Sequence, residues 1–143
     1  MAQPKTQARE AALQAIYQWQ VTRGSVTALE NQFLEEWKQA DLHIKLFKAL
    51  IQGVPENLVR IDEAMQAYVD REIEKVDPVE RAIIRLGVYE LLFEAQVPYK
   101  VVLNEYINLA KKFGSEKSHA FVNSILDRVA QKHREIEIKS PTN

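Results

Sequence analysis

Apolar residues return every third or fourth position along almost the whole chain, a spacing that one face of an α-helix satisfies and a strand does not. Four glycines and five prolines leave little material for hairpin turns, so the expected fold is all-α. In the first helix, Thr6 to Val21, residues Ala8, Ala11, Ala12, Ala15, Ile16 and Trp19 form one stripe. Tyr17 lies to its side, at the rim, where its ring packs and its hydroxyl meets water or a partner. A second helix, Thr27 to Trp37, turns Leu29, Phe33, Leu34 and Trp37 inward. Asp41 is placed to cap a third, with Ile44, Phe47, Leu50 and Ile51 packed and Gly53 as its stop. Pro55 suits the first turn of a fourth helix running to Tyr68.

The charged stretch Asp70 to Val76 is less regular, a short turn of helix at most. Asp77-Pro78 then signals a new start, cap followed by proline, for a fifth helix with Val79, Ala82, Ile83, Leu86, Tyr89, Leu92 and Phe93 inward. Pro98 opens a sixth, with Val102, Leu103, Tyr106, Leu109, Ala110 and Phe113 on one face. Gly114 stands where a left-handed residue would close it. Ser115 or Ser118 can cap the seventh, which sends Phe121, Val122, Ile125, Leu126 and Val129 inward. After Ala130 the periodicity is lost, and the segment is expected to fray. These elements make about seven helices in a single domain over 1–143, with subdomains of roughly 1–76 and 77–135 and a flexible tail at 136–143.

Net charge is −1, which excludes a globally basic nucleic-acid binder. The distribution is uneven. Thr27 to Glu80 holds 12 acids and 6 bases, whereas Pro98 to Asn143 holds 8 bases and 5 acids. A basic C-terminal third allows an anion to be held locally. At the corner after the sixth helix, Lys111, Lys112, Lys117 and His119 alternate with Phe113 and Phe121. Cations beside flat rings are what an unpaired RNA strand requires: charge for phosphate and a face for bases.

Signs of catalysis are missing from the sequence. The three histidines, His43, His119 and His133, fall on different elements, with no HExxH and no cysteine, so no metal site is expected. There is no glycine-rich phosphate loop and no GxSxG, and neither catalytic residues nor a cofactor is expected. The first residues carry no apolar signal region, and no apolar run approaches the roughly 20 residues of a membrane span. The expected location is cytoplasmic, with no membrane contact.

Four segments carry a resemblance: AREAALQAIYQWQ at Ala8 to Gln20, VERAIIRLGVYEL at Val79 to Leu91, VPYKVVLNEYINLAKKFG at Val97 to Gly114, and SHAFVNSILD at Ser118 to Asp127. In this order and spacing they resemble the NusB family of bacterial transcription antitermination factors. The same module resembles the N-terminal domain of some RNA cytosine methyltransferases, and here the module alone is expected. The resemblance implies two packed three-helix subdomains and a role without catalysis. It implies pairing with NusE, a ribosomal small-subunit protein, on boxA RNA of ribosomal operons, within the RNA polymerase antitermination complex. By matching position, Lys5 and Arg9 fall in a basic RNA-contacting segment, and Tyr68, Phe113, Lys117 and Phe121 fall on the RNA surface. Tyr17, Glu80 and Arg81 fall where NusE docks. Many family members open with an arginine cluster, which here is PKTQARE, with only Lys5 and Arg9 basic. Each missing phosphate contact weakens RNA binding and flattens its salt dependence by about one counterion. The alternative is a helical module that binds NusE with little RNA contact of its own. Monomer and homodimer both remain open.

Overall fold

A computed structural model of the chain describes residues 3–140, which form eight α-helices and no strand. None of these helices is long and apolar enough to cross a membrane. The chain divides into two compact units, Met1–Leu58 and Val59–Asn143.

The first unit contains α1 (Pro4–Thr22), α2 (Val26–Glu36) and α3 (Ile44–Glu56), each packed on the other two. Ala8, Ala11, Ala12 and Ala15 are wholly buried, and their small side chains let neighbouring backbone come close. Arg23 closes α1 in the left-handed conformation, φ 53°, with its guanidinium 4.4 Å above the Trp19 ring. Ser25 caps α2, accepting from the Ala28 N–H at 3.1 Å. His43, not Asp41, caps α3: its Nδ1 accepts from the Leu46 N–H at 3.1 Å. Ile44 is 53% exposed, outside the core that its spacing suggests. Nor does α3 stop at Gly53. It runs on through Pro55 to Glu56, where the side-chain amide of Asn57 donates to the Gly53 carbonyl at 2.9 Å. Pro55 therefore sits in the last turn of α3 rather than the first turn of the next helix.

The second unit holds most of α4 (Leu58–Gln66), a 3-10 turn at Ile73–Lys75, α5 (Pro78–Phe93), α6 (Tyr99–Phe113), α7 (Ser118–His133) and α8 (Glu135–Lys139). Helices α5, α6 and α7 pack on one another. As the sequence suggests, Asp77 caps α5, accepting from the Val79 and Glu80 N–H groups at 3.1 Å each. From Arg81 to Leu91 every residue of α5 is buried, a pattern wider than a single apolar stripe. Gly87 makes this possible. A Cβ there would lie 2.8 Å from both δ-carbons of Leu126 on α7.

A helix buried all round must satisfy its polar side chains internally. Arg85 is 0% exposed and grips Asp62 of α4 with two bonds of 2.9 Å, from Nε to Oδ1 and from Nη2 to Oδ2. Arg81 donates from Nη1 to the carbonyls of Glu74 at 3.0 Å and Val76 at 3.2 Å. Glu90 accepts from the Tyr106 hydroxyl of α6. Arg134 closes the unit. Its guanidinium donates to the carbonyls of Leu91, Val97, Glu90 and Glu94 at 2.8–3.1 Å and to the Glu137 carboxylate at 2.6 Å. This explains why the chain past Ala130 does not fray. Its one buried arginine caps the carbonyl end of α5, and helix continues to Lys139. Of the expected tail, Pro141 to Asn143 lies outside the described residues.

Candidate nucleic-acid interface

The corner between α6 and α7 is built by packing rather than by a special backbone conformation. Gly114 has φ −91° and ψ −177°, extended and open to any residue, not left-handed as its position suggested. Its requirement is space. A Cβ would lie 2.5 Å from the Ser118 Cβ and 2.7 Å from the Ala110 carbonyl oxygen. Ser118, first residue of α7, is buried and fastens the corner on both sides. Its Oγ accepts from the Ser115 N–H at 2.9 Å and donates to the Glu80 carboxylate at 2.6 Å. A charge-assisted bond of this kind contributes about 1.5–3 kcal/mol.

On this scaffold Phe113 is left 37% exposed, with the Lys112 ammonium 5.2 Å from its ring. Phe121 is half-buried, and the Arg71 guanidinium lies over its ring at 5.2 Å. Neither ring is sealed in the core. Lys117 is exposed at the N-cap of α7, in the right-handed helical region of the backbone, one turn before Phe121. His119 does not join them. It is half-buried, and a separation of two residues turns it about 160° around the helix from Phe121. Tyr68 is half-buried just past α4, three residues before Arg71. Arg71, whose guanidinium covers the Phe121 ring, falls in the charged stretch Asp70 to Val76, which has no regular period. Its signal was weak: an arginine hydrogen-bonded to its neighbour Asp70 at 2.9 Å has no periodicity to betray it.

The other candidates fall into two groups. In the second unit, Glu80 is half-buried and engaged by Ser118, while Arg81 is buried and turned onto backbone carbonyls. Glu80 braces the corner, and Arg81 ties α5 to the 3-10 turn that precedes it. In the first unit, Lys5, Arg9 and Tyr17 all lie on α1. Lys5 is exposed, but Arg9 is only 2% exposed and has an interaction of its own. Tyr17 is 41% exposed and lines a groove with Gln14, Val21, Gln32, Phe33 and Glu36, the rim position expected of it. Among the described residues no cluster of histidine and carboxylate side chains has the makings of a metal site.

Comparison with known proteins agrees with this architecture. Residues 6–131 match the model of the NusB family. The chain is 47% identical over 133 residues to a transcription antitermination protein NusB of Stenotrophomonas maltophilia (strain K279a), covering 93% of this chain and 84% of that protein. Its fold is similar to that of T. maritima NusB, with a TM-score of 0.80 at 36% identity, covering 96% of this chain and 97% of the other. It is similar also to a chain in a crystal structure of antitermination factors NusB and NusE in complex with dsRNA. There the TM-score is 0.82 at 26% identity, over 92% of this chain and 98% of that one.

Proposed function

Because this chain belongs to the NusB family, we propose that it is a transcription antitermination factor that works as a non-catalytic adaptor. It pairs with a NusE-type ribosomal small-subunit protein on boxA RNA, within the antitermination complex of RNA polymerase and in the cytoplasm. It acts as a single NusB-like domain and uses no cofactor.

The observation that carries this reading is the corner itself. Two rings remain open to solvent, and cations stand over them or one helical turn away. Bases stack on Phe113 and Phe121, with Tyr68 beside them, while Lys117 and Arg71 hold phosphates. Each stacked base contributes about 1–3 kcal/mol. On the first unit Lys5 offers a phosphate contact of its own, with Arg9 buried on the same helix; on the second unit His119 stands apart from the two rings. Tyr17 and its groove receive the NusE partner on the first unit; Glu80 and Arg81 act within the second unit, where they hold its own scaffold.

A second reading has one observation in its favour. Arg9 is buried, so the N-terminal segment offers RNA only Lys5. The chain would then bind NusE and leave RNA to it. Titration of labelled boxA RNA at fixed salt separates the two, with the chain alone, with NusE alone and with both. The adaptor reading expects the pair to bind more tightly than either component. It expects Phe121→Ala and Lys117→Glu each to weaken the pair by tenfold or more without unfolding the chain. Unchanged affinity in both variants would reject the corner as the RNA surface. A duplex of the same sequence should bind less well, because pairing hides the base faces.

A further inference from the structure

Two arginine-over-phenylalanine pairs flank α7 at different points along its length. At the corner, Arg71 lies over Phe121 at 5.2 Å. Near the other end, Arg60 lies over Phe93 at 5.1 Å, and both Arg60 and Lys132 are close enough to His133 to help burial depress its pKa. Between these points runs a row that starts at the N-cap residue Lys117 and continues along α7. At 100° per residue, Lys117, Phe121, Ser124, Arg128 and Lys132 fall within one arc of about 80°. Lys117, Ser124, Arg128 and Lys132 are exposed, and the buried residues Val122, Ile125 and Val129 lie to one side of them. The acids nearest in sequence, Glu116 and Asp127, fall outside the arc. None of Lys117, Arg128 and Lys132 is in an ion pair among the described residues.

Helix stability does not account for this row. A cation in the last turn suits the helix dipole, which explains Lys132, but Lys117 stands at the opposite end, where the dipole disfavours it, and Arg128 lies between. Three unpaired cations on one face, continuous with a ring site, match a regularly spaced polyanion better than a solitary anion.

Resting on the RNA-binding reading above, we propose that the outer face of α7 is a phosphate track. A single RNA strand whose bases meet Phe113 and Phe121 runs its backbone along Lys117, Arg128 and Lys132 toward Arg60. At 1.5 Å per residue the track from Lys117 to Lys132 is about 22 Å long, so a strand covering the corner alone does not reach its end.

The test uses the chain with its NusE-type partner and two unstructured single-stranded RNAs containing the same core, of about 5 and about 12 nucleotides. Binding is measured by fluorescence anisotropy across a salt series. The double variant Arg128→Gln/Lys132→Gln should reduce the salt slope for the longer RNA by about 1.4 and its affinity on the order of tenfold at 0.15 M salt. The shorter RNA should be unaffected, and Arg128→Lys/Lys132→Arg, which keeps both charges, should behave as the wild type. If the Gln variant leaves the longer RNA unchanged while Phe121→Ala still weakens both, the track is refuted and the corner stands. If Phe121→Ala weakens neither, the corner reading fails and the track with it.

Discussion

Replacing Asp62 by alanine should be a costly single change in the second unit. It leaves the Arg85 guanidinium, 0% exposed, without the carboxylate that it grips through two bonds of 2.9 Å. Removing one partner of a buried ion pair costs about 3–5 kcal/mol, because an uncompensated charge remains in the core. Two features move the expectation to the low end of that range. The Asp62 side chain is 25% exposed, so its charge is already partly screened. Glu74 stands 3.5 Å from the same guanidinium and offers a weaker substitute. The expected loss is therefore about 3 kcal/mol, within the roughly 5–15 kcal/mol of a typical domain. With a urea m-value of about 1–3 kcal/mol/M, the unfolding midpoint should fall by about 1–3 M. Far-UV circular dichroism in a urea series measures it. The companion variant Asp62→Leu/Arg85→Met removes both charges and should recover most of the loss, since apolar replacements of buried pairs are often neutral or stabilising. The reasoning fails if Asp62→Ala costs less than about 1 kcal/mol, or if the double variant is as unstable as the single.

Other expectations follow from single contacts. Ser118→Ala removes the bond to Glu80 and leaves a partly buried carboxylate short of a donor; thermal or urea unfolding should show a loss of about 1.5–3 kcal/mol, and boxA affinity should drop although Ser118 itself is out of reach. Gly87→Ala brings a Cβ to 2.8 Å from the Leu126 δ-carbons; overpacking of this kind costs about 1–3 kcal/mol, toward the lower figure here because a leucine tip can turn aside, and urea midpoints measure it. His133 has its pKa lowered, first by burial and then by Lys132 and Arg60. The unfolded chain thus takes up this proton before the folded one, so this residue's share of stability is intact above its ordinary value of 6.5 and falls as the pH drops below it. His133→Gln should flatten the decline in melting temperature between neutral and mildly acidic pH, read by differential scanning calorimetry.

The helices were legible because burial imposes a period. The alanine stripe of α1, the Asp77-Pro78 start of α5 and the apolar face of α6 all follow from spacing and cap chemistry. What escaped the sequence was set by contacts between distant residues. Asp41 looked like a cap, but His43 does that work through Nδ1. Gly114 looked left-handed, but its backbone is extended and the glycine is demanded by Ser118, four residues away. Arg134 read as one charge in a mixed tail, because nothing local shows that four carbonyls from other segments await it. At the candidate site, the rings and Lys117 were legible as composition, whereas Arg71 over Phe121 and Ser118 on Glu80 join segments about 40 to 50 residues apart. His119 was grouped with its neighbours by sequence and separated from them by helical geometry.

The most direct measurement is a titration of the isotope-labelled chain with single-stranded boxA RNA, alone and with its NusE-type partner, followed by amide nuclear magnetic resonance shifts. The account predicts the largest changes at Lys111 to Phe121 and at Tyr68 to Arg71, the segments that carry the open rings and their cations. RNA that binds while those amides stay unshifted would contradict it.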